Sequence, residues 1–281
     1  MKLNVTAQLN YVVKSASTII LNIHALKTAD QQVLQETFTT TPEVKMEELQ
    51  NVGGENRFMR LDITQPCELT VNYDAIVNNA YKIIDHRDTK GIAMADLEPA
   101  VFPFLNQSRY CQSDKLYRIA GHMFGDISSP FEQVKALTNW INTNVLYLSG
   151  SSNAQTSAYE TVTEQAGVCR DFAHLGIALC RALTIPARYF TGYAYKLNPA
   201  DFHACFEAYI GGEWVLFDAT GLAPLNGMVK IATGRDAADA PVSNLFGDVY
   251  GTGIKVNCEL IEGDFKSYFY PKNRFEGITY L

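Results

Sequence analysis

The most constraining feature of this sequence is an alternation of polar and apolar residues that recurs through its first 95 positions. In the first segment, apolar side chains stand at every second position: Leu3, Val5, Ala7, Leu9, Tyr11 and Val13. Three further segments, beginning near Ile19, Met59 and Cys67, repeat the same period of two. Such a period places apolar side chains on one face of a β-strand. Because antiparallel sheets commonly bury one face and expose the other, the pattern predicts an antiparallel, sandwich-like β domain over residues 1–95.

The period changes after about residue 105, where apolar residues begin to recur at helical spacing. Residues 129–132 (SPFE) combine an N-cap serine, a proline at the first helical position and a glutamate three residues after the cap. Residues 157–160 (SAYE) repeat the serine and glutamate spacing before a shorter predicted helix. At 281 residues, the chain is long enough for two domains. We therefore expect an α+β protein with a β domain at 1–95 and a second domain at 96–281.

A third predicted helix carries a cysteine in its first turn. Four apolar residues share one stripe of this helix: Phe172, Leu175, Leu179 and Leu183. Their spacing indicates a helix that begins at about Cys169. The helix dipole places about half a positive charge at that end, and this charge favours thiolate over thiol. Since the thiolate is the nucleophilic form, Cys169 is the candidate nucleophile.

Two other residues of this helix are interpreted as structural. Cys180 lies on the apolar stripe, and three helical turns, about 16 Å, separate it from Cys169, which disfavours a redox pair. His174 is five residues past Cys169 and is expected to bond locally or to solvent.

Beyond residue 186 the period returns to two, and a pair of glycines separates two predicted strands. Gly211 and Gly212 are typical of a tight hairpin turn. If they form the loop, Ile210 pairs with Glu213 and the register of the whole hairpin follows.

This register predicts an encounter between a histidine and a carboxylate. It places Cys205 opposite Asp218, so that His203 becomes the diagonal neighbour of Asp218, at about 7–8 Å between backbones. A histidine oriented by an acid, near a thiol at a helix start, is the arrangement that activates a cysteine for acyl transfer. The alternative is that Cys169 is a buried thiol, His203 a hydrogen-bonded sheet residue and Asp218 a turn residue.

Charge and cysteine spacing disfavour several other classes of protein. The formal net charge is −7, and no run of lysine or arginine suggests a nucleic-acid partner. The N-terminal residues lack the unbroken apolar stretch of a signal peptide, and no segment approaches the roughly 20 apolar residues of a membrane span. We therefore expect a cytoplasmic protein that does not bind membranes. The six cysteines include no C-x-x-C pair, so we expect reduced thiols and no structural metal site.

Four segments resemble the core signature of the transglutaminase-like superfamily, whose core is papain-like. They are residues 167–175 (GVCRDFAHL), 185–192 (IPARYFTG), 202–209 (FHACFEAY) and 214–220 (WVLFDAT). Residue by residue, the resemblance implies Cys169 as nucleophile, His203 as its base and Asp218 as the orienting acid. It also implies a core in which the nucleophile's helix packs on an antiparallel sheet.

Two flanking segments, residues 108–114 and 231–239, are similar to segments of bacterial members, whose N-terminal region is also a β domain. The sequence departs from the family at Cys205, where a tryptophan is common, and at Ala219, where a proline is common. We expect the first change to alter the wall of the cleft, and neither change removes a catalytic group.

The implied reaction is attack of the Cys169 thiolate on an amide carbonyl of a peptide or protein substrate. His203 then protonates the leaving amine, and water or a second amine resolves the thioester. Hydrolysis by a protease or amidase is expected, because water reaches any open cleft. A transglutaminase and a non-catalytic peptide-binding module are the alternatives.

An oxyanion hole is also required, and the backbone N–H of Cys169 is a ready donor. Gln165 and Trp140 are candidate second donors. No cofactor is expected, because no carboxylate cluster resembles a calcium loop.

Overall fold

The computed structural model describes residues 1–49, 54–271 and 274–280, and it confirms the predicted α+β class. The strands are β1 (Lys2–Val13), β2 (Ser17–Leu21), β3 (Gln31–Thr41), β4 (Lys45–Leu49), β5 (Phe58–Ile63), β6 (Cys67–Asn79), β7 (Lys82–Asp85), β8 (Leu146–Tyr147), β9 (Ala166–Gly167), β10 (Ala187–Ala194), β11 (Phe202–Ile210), β12 (Glu213–Phe217), β13 (Met228–Gly234), β14 (Ser243–Phe246), β15 (Val249–Glu262) and β16 (Glu276–Thr279). The α-helices are α1 (Ser113–Phe124), α2 (Pro130–Asn144), α3 (Ala158–Glu164) and α4 (Cys169–Ala182). Short 3₁₀ turns lie at Met94–Asp96, Pro99–Phe104 and Leu225–Gly227.

The N-terminal alternation forms two antiparallel four-stranded sheets. One has the strand order β15-β1-β6-β3 and the other β14-β2-β5-β4. Every apolar position predicted on the inner face of β1 is buried, and the inner faces of both sheets belong to one hydrophobic cluster. The sequence pattern therefore gives the correct face of each strand.

Strand pairing links the predicted domains in both directions. From the C-terminal part of the chain, β14 pairs with β2, and β15 pairs with β1 along its whole length. From the N-terminal part, β7 pairs with β16 in the core sheet. The division at 1–95 and 96–281 stays a prediction. Each of the two predicted domains contributes strands to sheets of the other.

The second layer is a six-stranded sheet with α4 packed against it. The strand order is β13-β10-β11-β12-β16-β7, and each neighbouring pair is antiparallel. The predicted stripe of α4 is buried at Phe172, Leu175 and Leu179, in one cluster with Phe206 and Ala208 of β11. This packing fixes the start of α4 relative to the sheet.

The sequence signals for helix starts are confirmed. The Ser129 hydroxyl oxygen accepts a hydrogen bond from the Glu132 N–H at 3.4 Å before α2. The Glu160 carboxylate accepts one from the Ser157 N–H at 3.0 Å before α3. In the part of the chain that the structure describes, no helix combines the length and apolar character that crossing a bilayer takes.

A different cap stabilises the start of α4. The Asp171 carboxylate turns back to accept a hydrogen bond from the Val168 N–H at 2.9 Å. A Cβ at Gly167 would lie 2.7 Å from the Cβ of Asp171, so this close approach requires glycine. The capped turn holds Cys169 as the first residue of α4.

The glycine hairpin has the predicted register. Gly211 and Gly212 have φ of +64° and +92°, as a tight hairpin turn requires, and Ile210 pairs with Glu213. The pairing continues to Phe206 opposite Phe217, so Asp218 directly follows the last paired residue of β12.

Candidate active site

The structure brings together the three side chains that the sequence singled out. Cys169 is partly exposed at the first position of α4. His203 is the second residue of β11 and is 2% exposed. Its Nε2 lies 2.9 Å from Oδ2 of Asp218, and the thiol of Cys169 lies close enough to contribute to the raised pKa of the imidazole. In space, the imidazole of His203 therefore lies between the thiol of Cys169 and the carboxylate of Asp218.

The imidazole and the carboxylate hold each other in their charged forms. Burial lowers the pKa of His203, but the charge of Asp218 and the hydrogen bonds with Asp218 and Cys169 outweigh it, and the pKa lies well above 6.5. Burial raises the pKa of Asp218, yet the His203 charge and hydrogen bonds from His203 and Thr220 hold it below its usual range. An imidazolium beside a carboxylate is therefore the stable state.

Thr220 fixes the second oxygen of the acid. Oδ1 of Asp218 accepts hydrogen bonds from the Thr220 N–H at 2.8 Å and from the Thr220 hydroxyl at 2.7 Å. Both carboxylate oxygens are thus occupied, which orients Oδ2 toward His203.

Tyr147 is a residue of this site that sequence reasoning missed. The short parallel pair β8–β9 places Tyr147 opposite Gly167, two residues before Cys169. The hydroxyl of Tyr147 lies near the Cys169 backbone N–H, which acts to lower the pKa of that hydroxyl. Partial burial and the charge at Cys169 raise the pKa of Tyr147, so the hydroxyl keeps its proton. The signal that could have indicated Tyr147 is a short apolar run at residues 146–148, which lies between two predicted helices.

The two donors expected from the sequence lie elsewhere. Trp140 packs edge-on against Phe124, with 6.4 Å between the ring centroids. Gln165 is an exposed residue at the C-cap of α3, and its backbone carbonyl accepts a hydrogen bond from the Leu146 N–H. Neither residue is among those that line the cavity containing Cys169.

Cys169 and His203 both line a cavity of about 560 Å³. Another cavity, of about 370 Å³ near Pro186, is lined by neither of them. The larger cavity is lined by aromatic and small side chains, among them Tyr110, Tyr189 and Ala237. The flanking segments 108–114 and 231–239 meet at its rim, where the Tyr110 N–H donates to Asp236 at 2.8 Å. The cavity is therefore the cleft of the candidate site.

The expected role of His174 is wrong. Its side chain is fully buried, and Nε2 accepts a hydrogen bond at 3.1 Å from the N–H of Ala237, 63 residues away. The ring lies between Tyr110 and Tyr189, at centroid distances of 4.9 and 5.0 Å. Burial, with a contribution from Arg170, lowers the pKa of His174 to about 3, so the ring is neutral and can accept. Helical spacing missed this role because the partner is distant in sequence.

Cys205 does not line the cleft cavity among the residues described, contrary to the expectation that it alters the cleft wall. It is 1% exposed and packs in a cluster with Phe190, Leu216 and Tyr280. Burial, with a smaller effect of the Asp218 charge, raises the pKa of its thiol to about 12.

Comparison with known proteins identifies the family. Residues 1–100 match the family described as "Bacterial transglutaminase, N-terminal domain", and residues 117–219 match the "Transglutaminase-like superfamily". A solved structure from Cytophaga hutchinsonii, named a "Putative Cysteine Protease", is 52% identical, with a TM-score of 0.98 over 100% of this chain and 98% of that one. The chain belongs to the transglutaminase-like superfamily.

Relatives of this superfamily protein also occur in mycobacteria. An uncharacterized protein of Mycobacterium leprae is 24% identical over 214 residues, covering 71% of this chain and 76% of its own length. One of Mycobacterium tuberculosis is 31% identical over 154 residues, covering 47% of this chain and 48% of its own length. Membership of the superfamily supports a cysteine-dependent enzyme.

Proposed function

We propose that the protein is a Cys-His-Asp hydrolase that cleaves a peptide or amide bond through a thioester on Cys169. The observation that carries the proposal is that Cys169 and His203 line the same cleft, with Nε2 of His203 2.9 Å from Oδ2 of Asp218. A nucleophile that contacts its base, with the base in contact with an orienting acid, is the arrangement that covalent acyl transfer requires.

In the first half of the reaction, the Cys169 thiolate attacks the carbonyl carbon of the substrate. A C–S bond forms, and the carbonyl oxygen becomes an oxyanion. When the C–N bond breaks, the imidazolium of His203 gives its proton to the leaving amine. The Asp218 carboxylate keeps the ring aligned through both steps.

The oxyanion is held by the Cys169 backbone N–H and the Tyr147 hydroxyl. The Tyr147 hydroxyl lies near the Cys169 N–H, so we assign both groups as donors to a single oxygen. Tyr147 then donates its own proton in a hydrogen bond. This assignment replaces the side-chain donors expected from Gln165 and Trp140.

In the second half, neutral His203 takes a proton from water, and the hydroxide attacks the thioester. The acid product leaves, and the thiolate–imidazolium pair is restored. We favour water over an amine because the cleft is open to solvent beside Cys169, whereas transfer needs a site that binds an amine and excludes water.

The test is incubation of the protein with a library of peptides, some containing glutamine, with and without a primary amine. Mass spectrometry of the products should show cleaved or deamidated peptides whose masses are unchanged by the amine. Peptides that gain the mass of the amine would instead establish a transglutaminase.

Two variants distinguish activity of this protein from activity of a contaminating enzyme. Cys169→Ala should abolish turnover and keep the fold, because alanine has the best helix propensity at that position. Cys67→Ala, which removes another partly exposed thiol, should retain full activity. Peptides bound by the wild type but unchanged in mass would indicate a binding module.

A further inference from the structure

We infer that His203, Cys205 and Asp218 form a binding site for one zinc ion that reversibly inhibits the enzyme; the inhibition rests on the proposed function, whereas the binding does not. Among the described residues, the ligand atoms of these three side chains lie within 4.8 Å of one another. The site exists because Cys205 stands where the family commonly has a tryptophan.

The three groups suit zinc by type and by charge. Thiolate, imidazole and carboxylate are the ligands zinc takes in proteins, at about 2.0–2.3 Å. One thiolate and one carboxylate neutralise the two positive charges of the ion. Ligand atoms around a tetrahedral ion stand roughly 3.3–3.8 Å apart at these bond lengths. The 2.9 Å contact between His203 and Asp218 therefore needs to open by a fraction of an ångström, and a pair of ligand atoms at the 4.8 Å limit needs to close by about 1 Å.

Burial favours a coordinated ion, and two cavities offer it a path. The side chains of His203 and Asp218 are 1% and 2% exposed, and Cys205 is buried. His203 borders the 560 Å³ cleft, while Asp218 borders a separate cavity of about 150 Å³ that includes Asn142 and Tyr270. Water from either cavity can fill the fourth position of the ion.

Zinc at this position removes the base. A neutral imidazole has one lone pair, and a metal bound to either ring nitrogen uses it. Binding releases the thiol proton of Cys205 and one imidazolium proton of His203 to solvent, with no change of oxidation state. Because a buried thiol must lose its proton, binding is weaker than at a site of preformed thiolates, and the inhibition is reversible.

The experiment is a titration of reduced, desalted protein with Co²⁺, which replaces zinc and absorbs when a thiolate is bound. The wild type should take up one equivalent and show a thiolate-to-cobalt band that zinc abolishes. Cys205→Ser should lose the band. It should also bind zinc at least about tenfold more weakly, because even the loss of a residue that only hydrogen-bonds a metal ligand weakens binding by that factor. Cys258→Ser, at another buried cysteine, should behave as wild type.

A further variant and a crystal structure make the result decisive. Cys169→Ala should keep the band, whereas a band lost in Cys169→Ala and retained in Cys205→Ser would place the metal on the nucleophile and overturn the inference. If Cys205→Ser does not fold, zinc-soaked wild-type crystals should show anomalous density within about 2.3 Å of Sγ of Cys205. Density elsewhere, or none, refutes the site. These readouts do not need turnover, so they remain valid if the hydrolase proposal fails.

Discussion

Asp218 is the residue that sets the charge of His203. Its carboxylate contributes the largest effect that raises the pKa of the imidazole, against burial, which lowers it. Asp218→Asn should therefore lower the pKa of His203 and reduce kcat by roughly 10²–10⁴-fold. The pKa is measured by NMR titration of labelled histidine. An unchanged titration would mean that another group holds the proton.

The same pair makes stability depend on pH. Because the folded pKa of His203 is raised, its stabilising contribution is complete below about pH 6.5 and is lost as pH rises through the folded pKa. Because the folded pKa of Asp218 is lowered, its contribution is complete above about pH 4 and is lost as pH falls through the folded pKa. In urea unfolding, the free energy of unfolding of the wild type should exceed that of Asp218→Asn by the largest amount between about pH 4 and pH 6.5. A difference that is constant with pH would contradict the ion pair.

Tyr147 tests the proposed oxyanion hole. Tyr147→Phe removes one donor and keeps the ring, which packs 5.7 Å from Phe172. Removing such a donor lowers kcat by about 10²-fold or more with little change in KM. Tyr159→Phe is the matched control, since Tyr159 is similarly exposed, at 42% against 43% for Tyr147. Equal activity of the two variants would exclude Tyr147 from the reaction.

At the scale of elements, α4 supplies both the nucleophile and a support for the cleft wall. His174, five residues past Cys169, accepts a hydrogen bond from the N–H of Ala237, which lines the cleft. His174→Phe keeps the stacking but leaves the partly buried Ala237 N–H without its acceptor, a loss of about 1 kcal/mol. We expect KM to rise more than kcat falls, because the reacting groups are untouched. Steady-state kinetics and urea unfolding measure the two effects.

Controls separate this positioning role from general damage. His174→Gln offers an amide oxygen as acceptor and should restore part of KM, while His122→Phe, at an exposed position of α1, should change neither quantity. A fall in kcat at constant KM would contradict a role in substrate positioning.

Elements with a local signal could be predicted from the sequence, and those joined over long range could not. The cap serines gave α2 and α3, and Gly211-Gly212 gave the register that aligns His203 with Asp218. Tyr147 and His174 were missed because their partners, the Cys169 backbone and Ala237, are 22 and 63 residues away. Periodicity identifies a face of an element but does not identify the element that will pack against it.

At the scale of the whole molecule, periodicity also does not show which distant strands complete each sheet, and this affects the predicted division into domains. β15 starts near residue 249 yet pairs with β1, and β14 pairs with β2, so the N-terminal sheets are incomplete without the C-terminal strands. A fragment of residues 1–95 should therefore lack cooperative unfolding, as measured by circular dichroism in urea. The full chain is the control, and a cooperative transition of the fragment would show an independent domain.

The central claim is that His203 activates Cys169, and the most direct test is the rate of iodoacetamide labelling, mapped residue by residue. Cys67 is the internal control, because it is also partly exposed but lies outside the site. Cys169 should react about tenfold faster than Cys67 or more, and His203→Ala should remove most of that difference. Equal rates for Cys169 and Cys67 in the wild type would contradict the account.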